Sequence, residues 1–193
     1  MLFGYHRYPK AHASGSGPAR QDRPPTLGRV STPDLPAGVR AATPDDIPTI
    51  LELVHELAAF EREPDAVKAT PELLHAAHFG PDPVASTLLA TDDDGAVIGM
   101  ALWYRTFSTW EGVPGMHLED LYVRPQARGA GTGRLLFTAL AREAQARGLT
   151  RVEWVVLRWN EQAIGFYDAL GGEPQDDWQT YRLETEGIAA LAR

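Results

Sequence analysis

Val123-Arg124-Pro125-Gln126-Ala127-Arg128-Gly129-Ala130-Gly131-Thr132-Gly133 is the stretch on which the fold turns. An extended apolar run, 116–123, precedes it. An amphipathic run, 132–146, follows, with Leu135, Leu136, Leu140 and Ala144 on one face. Glycines between a strand and a helix let the backbone turn tightly and present its N–H groups to an anion at the helix N-terminus. The spacing is not that of the lysine-bearing phosphate loop, and it lacks the dinucleotide pattern Gly-x-Gly-x-x-Gly. It reads as a pyrophosphate cradle of another kind.

Upstream, 39–42 forms a short strand, and Thr43-Pro44-Asp45-Asp46 carries the N-cap, first-position proline and third-position acid of a helix start. Ile47, Ile50, Leu51, Val54, Leu57 and Ala58 then recur at helical spacing. Thr70-Pro71-Glu72 opens a second, shorter helix. Strands 86–91 and 96–106 flank Asp92-Asp93-Asp94-Gly95, a solvated hairpin turn without the glutamate a calcium loop requires. Downstream come a strand at 151–157, a helix at 160–170, a strand at 178–183 and a small C-terminal helix. The order β-α-α-β-β-β-α-β-α-β predicts a mixed α/β domain with an antiparallel start.

Composition narrows the function. The chain has 193 residues, 44% of them hydrophobic, and no cysteine. Thiol nucleophiles, disulfide scaffolds and thiolate metal sites are excluded together. No apolar run reaches the ~20 residues that span a bilayer, so no membrane partner is expected. Residues 1–38 hold six prolines, five glycines and a net charge of +3, which leaves −11 of the total −8 on the rest. We read 1–38 as a flexible tail and 39–193 as the domain. So acidic a body repels phosphate backbones and attracts cations, which argues against a nucleic-acid partner and for a cationic ligand.

Arg128-x-x-Gly131-x-Gly133 after a strand ending in Val123 resembles the acetyl-coenzyme A loop of the GNAT N-acetyltransferase superfamily. Three further stretches resemble its diamine (spermidine/spermine-type) branch: Glu56-Leu57-Ala58-Ala59-Phe60-Glu61; Leu118-Glu119-Asp120-Leu121-Tyr122-Val123; and Trp159-Asn160-Glu161 with Ile164-Gly165-Phe166-Tyr167. The resemblance covers about residues 39–185. It implies a GNAT fold, a mixed central sheet whose antiparallel N-terminal strands are splayed at the acetyl-coenzyme A site. It also implies direct acetyl transfer from acetyl-coenzyme A to a primary amine, with no covalent intermediate and no metal.

The resemblance assigns roles residue by residue. Backbone groups of Arg128, Gly129, Ala130, Gly131, Thr132 and Gly133 would hold the pyrophosphate, and the end of the strand at Leu121 and Val123 the pantetheine. Asn160 would cap the helix it precedes or contact coenzyme A. Tyr167 would be the general acid for the leaving thiolate, although a tyrosine beside Phe166 could equally be packing. Glu119 would accept the ammonium proton through a water, with Asp120 holding the amine. Neighbours on a regular strand point to opposite faces, so both reach one site only if a bulge intervenes. Glu61 would meet the distal ammonium, and Trp110 and Trp178 would wall the amine channel or pack in the core.

Two departures stand out: Phe60 where polyamine enzymes commonly carry tyrosine, and Ala169-Leu170 where basic residues often follow the catalytic tyrosine. His75 and His78 have a metal-compatible spacing but read as a surface pair, and His117 receives no role. The expectation is a cytoplasmic homodimer that acetylates a polyamine or diamine. Thialysine, another amino acid or an aminoglycoside is the alternative substrate; a carboxylate-bearing amine would need a cation such as Arg105 or Arg158. A coenzyme A-binding sensor or scaffold without catalysis is the alternative of another class.

Overall fold

A computed structural model describes residues 33–193; most of the expected tail, 1–32, lies outside the described residues. The helix start at Thr43 forms as the sequence predicts, with an addition that sequence did not indicate. Asp46 accepts from the Thr43 amide at 2.7 Å and its hydroxyl at 2.8 Å, and both its oxygens take the Arg40 guanidinium at 2.7 Å. Those hydrogen bonds from Arg40, followed by those from Thr43, hold the Asp46 carboxyl far below the usual carboxylate range. Strand β1 (Val39–Ala41) is thereby tied to the turn that leads into α1 (Ile47–Phe60).

There follow α2 (Pro71–Phe79), capped by Thr70, then β2 (Ser86–Thr91), β3 (Val97–Ser108) and β4 (Val113–Val123). After the glycine loop come α3 (Thr132–Ala146), β5 (Val152–Trp154), α4 (Glu161–Ala169) and α5 (Thr185–Leu191). The sheet runs β1-β2-β3-β4-β5, antiparallel as far as β4, with β5 parallel to it across the α3 connection. This is the open mixed sheet expected.

Alternation along the strands loads both faces. Leu88, Ala90, Ala101, Trp103, Met116 and Leu118 pack with Leu136, Ala139 and Leu140 of α3. Leu89, Met100 and Tyr122 pack on the other face with Ile47, Ile50 and Leu53 of α1. The contacts begin before the expected domain boundary at Val39: Arg142 donates to the Asp34 carbonyl at 2.8 Å, and Leu35 packs on the α3 side.

Two expected strands differ. That at 151–157 is reduced to β5, because its second half diverges from β4. That at 178–183 is not a strand among the described residues, and Trp178, Tyr181 and Leu183 are exposed. Its β-branched and aromatic residues suit a pleated surface, but a strand persists only beside another one.

The Asp46 anchor is open to a stability test. Asp46→Ala is expected to cost about 2 kcal/mol at neutral pH by urea unfolding, since it strands a bound guanidinium and two donors. The native carboxyl is depressed, so the wild-type advantage is full above about pH 4 and fades only as pH falls further. An unchanged unfolding midpoint would contradict this.

Candidate active site

β5 pairs with β4 only through Met116, His117 and Leu118, the last opposite Trp154. β4 nevertheless runs on to Val123, while the chain after Trp154 turns away. The two strands part, and a cleft of about 390 Å³ opens between Glu119–Val123 and Val155–Leu157. The glycine loop and α1 complete its walls. Strand edges without a neighbour leave backbone donors and acceptors available to a ligand.

The pairing of β3 with β4 contains the feature that builds the site. Leu102 faces Asp120 and Trp103 faces Leu118, so Glu119 is one residue too many. This β-bulge resets the alternation. Met116 and Leu118 face α3 before it, and Leu121 and Val123 still face that side after it. Tyr122 joins the α1 cluster. With the bulge, Glu119 and Asp120 both line the cleft, joined there by Glu61 from the end of α1.

Two neighbouring carboxylates raise the cost of ionising Asp120. Burial first, then the charges of Glu119 and Glu61, push the Asp120 carboxyl up to about 6. Burial also raises Glu61. Glu119 remains about half exposed, with an oxygen 3.7 Å from His117 Nε2.

The opposite end of the cleft has the reverse character. Gly129 and Gly131 have φ of +80° and +90°, the left-handed region where other residues are strained. Space around both is open, with no atom within 4 Å of a built Cβ. Gly131 caps α3 without offering a side-chain acceptor, so the first-turn amides of α3 carry no cap. Arg128 is held between the rings of Phe60 (4.9 Å) and Tyr122 (5.5 Å), and its Nε donates to the Val123 carbonyl at 2.8 Å. Arg124 pairs with Glu52 and Glu56 of α1, anchoring the start of the loop. Open backbone, uncapped amides and a fixed cation fit the pyrophosphate of acetyl-coenzyme A.

Tyr167 lines the cleft with its ring 4.9 Å from Trp154 and 6.2 Å from Phe137. Burial, then the Glu61 charge, push its phenol up to about 12, so it stays protonated at neutral pH. Asn160 does cap α4, its Oδ1 accepting from the Ala163 amide at 3.1 Å, and it also lines the cleft.

The residues nominated from sequence therefore converge, with three exceptions. Ala130 does not line the cleft, and neither Trp110, in the β3–β4 turn, nor Trp178 reaches it. Arg105 and Arg158 are absent from its lining too. His78 is not a surface residue: it is buried, its Nδ1–H donating to the Leu74 carbonyl at 2.8 Å and its Nε2 accepting from Thr87 at 2.9 Å. Sequence reading missed Trp154, Val155 and Leu157. An aromatic and apolar run in a strand looks like core unless the parting of β5 from β4 is known.

The family model for the acetyltransferase (GNAT) family matches residues 50–171. Thialysine N-epsilon-acetyltransferase of Bos taurus is 36% identical over 164 residues, covering 80% of this chain and 96% of its own. A human spermidine/spermine N(1)-acetyltransferase-like protein is 29% identical over 80% of this chain and 23% of its own length. Among solved structures, an integron cassette protein from the mobile metagenome of V. cholerae superposes with a TM-score of 0.67 at 24% identity, over 80% of this chain and 96% of that one; this likeness concerns the fold.

Asp120 gives the site a pH signature. Its proton is bound more tightly in the fold than in the unfolded chain, so its stabilising contribution is full below about pH 4 and lost as pH rises through about 6. Asp120→Asn is expected to be more stable than wild type at pH 8, by about 1–3 kcal/mol, and to show no such gain at pH 4. A difference independent of pH would contradict the buried-carboxylate account.

Proposed function

The chain belongs to the acetyltransferase (GNAT) family, and from that premise we propose that it acetylates a primary amine of a small cationic substrate, a polyamine or diamine first. The observation that carries this reading is the convergence of Glu61, Glu119 and Asp120 at one end of a cleft whose other end is a glycine loop. Acetyl-coenzyme A, the family's co-substrate, supplies the acetyl group as a thioester. Amides of the Gly129–Gly133 loop would hold its pyrophosphate, and the edge of β4 that β5 leaves uncovered beyond Leu118, at Leu121 and Val123, would bind the pantetheine arm.

The remaining tasks fall to side chains. The carboxylates draw in the ammonium and hold it in a poorly solvated place, where its charge offsets their mutual repulsion. One proton must leave before nitrogen can attack. Asp120 lies beside Glu119, whose charge helps raise the Asp120 pKa, and that makes Asp120 a stronger base than an ordinary aspartate. This shifts the expected proton acceptor from Glu119 alone to the pair. Tyr167, held protonated, donates to sulfur as the carbon–sulfur bond breaks.

The relative named for thialysine favours a second reading, acetylation of a side-chain amine on an amino acid. A sensor that merely binds coenzyme A would have no use for an acidic pair and a buried phenol in the same cleft. We also propose a homodimer. Its support is the row of exposed apolar residues Trp178, Tyr181, Leu183, Ile188 and Leu191, which a second copy would cover. A cytoplasmic location completes the reading, since a chain without cysteine has no call for an oxidising compartment.

Thiol release from acetyl-coenzyme A should be seen with spermidine, putrescine or thialysine and fall to the blank rate without amine. Tyr167→Phe is expected to lower kcat about a hundredfold or more while coenzyme A affinity changes little. Coenzyme A binding without turnover on any amine would favour the sensor. In light scattering the wild type is expected at twice the chain mass, and Tyr181→Asp with Leu183→Asp at the chain mass. A monomeric wild type would remove the dimer.

A further inference from the structure

α1 ends in an unusual way. Arg62 has φ of +68°, and it is the only residue other than glycine with positive φ among the described residues. The Arg62 amide donates to the Ala59 carbonyl at 3.2 Å and the Glu63 amide to the Ala58 carbonyl at 2.9 Å. This is a helix stop whose left-handed residue is ordinarily glycine, because a Cβ there is costly. The sequence places arginine in that position, directly after Glu61. Strain tolerated at a particular residue is a reason to ask what its side chain does.

The guanidinium lies over the Trp159 ring, 4.8 Å from its centroid, and Trp159 also meets Phe60 at 6.0 Å. Phe60 and Glu61 line the cleft on one side, Leu157 and Asn160 on the other. Arg62 therefore sits at the rim where the end of α1 meets the β5–α4 turn. Among the described residues it forms no ion pair. A stacked guanidinium is held flat, its edge donors available to a planar anion.

Resting on the amine-acetyltransferase reading above, we infer that Arg62 is a specificity-determining residue that receives the carboxylate of an α-amino-acid substrate whose terminal side-chain amine is acetylated. Glu61 and Arg62 are consecutive, with opposite charges. The α-carbon of an amino acid carries an ammonium and a carboxylate side by side, and the pair matches that head group. The far amine then points down the cleft toward Glu119 and Asp120. Arg105 and Arg158 do not line the cleft, so neither supplies this contact.

Lysine and cadaverine differ only in the carboxylate, so their kcat/KM ratio reads the contact directly. It should be measured in wild type and in Arg62→Lys, Arg62→Gly and Arg62→Glu. Glycine suits the left-handed position, so a melting temperature equal to or above that of wild type would confirm that Arg62→Gly is folded. The expected lysine-to-cadaverine ratio falls about ten- to a hundredfold in Arg62→Gly, chiefly through the KM for lysine. Arg62→Lys should fall between wild type and glycine, and Arg62→Glu should lie lowest. A ratio constant across the series overturns the role of Arg62 and leaves amine acetylation standing, as does a wild type that accepts cadaverine and ignores lysine. A wild type that acetylates neither lysine nor cadaverine overturns this inference, and turnover with spermidine or putrescine then shows whether the amine reading stands without it.

Discussion

One surplus residue in a β-ladder governs the chemistry of this protein. Glu119 has no partner on β3, and the parity of β4 changes as it passes that point. Without it, Leu121 and Val123 would leave the α3 face, and Tyr122 would leave the cluster with Ile50 and Leu53. Both halves of the strand are locked to the core, so the discontinuity has to be absorbed at Glu119. A bulge also increases local twist. β5 ceases to pair with β4 at Leu118, one residue before the bulge, and the cleft opens there.

The cleft is polarised along its length. At the loop end lie left-handed glycines, uncapped amides of α3 and the stacked Arg128, groups whose polarity suits an anion. At the other end, Glu61, Glu119 and Asp120 lie together, and burial makes the charges of Glu61 and Asp120 costly. A substrate that brings a cation relieves that cost, and one that brings an anion adds to it. The same Glu61 charge reaches Tyr167 and helps keep the phenol protonated. In the proposed reaction, amine selection and acid catalysis are thereby coupled through Glu61.

The sequence made the local signals plain. Thr43-Pro44-Asp45-Asp46 and Thr70-Pro71-Glu72 open helices where expected, and the glycine loop sits between β4 and α3. These depend on neighbours within a few residues. The bulge was named as the condition for Glu119 and Asp120 to share a site, but register belongs to two strands and is not visible in one. Trp110 and Trp178 show the same limit: aromatic side chains suit a channel wall, yet only the path of the chain decides which of them arrives. His78 looked like half of a surface pair until the Thr87 hydroxyl, on another element, claimed its second nitrogen.

The Glu119 bulge turns Asp120 into a buried cluster of carboxylates. The most direct measurement is a carbon-detected NMR titration of the aspartate side-chain carboxyls, with Asp120 assigned through Asp120→Asn. The account requires an Asp120 midpoint near 6, moving lower when Glu61 is replaced by glutamine. A midpoint near 4, the ordinary value for an exposed aspartate, and indifferent to Glu61, would show that the carboxylates do not share the cleft.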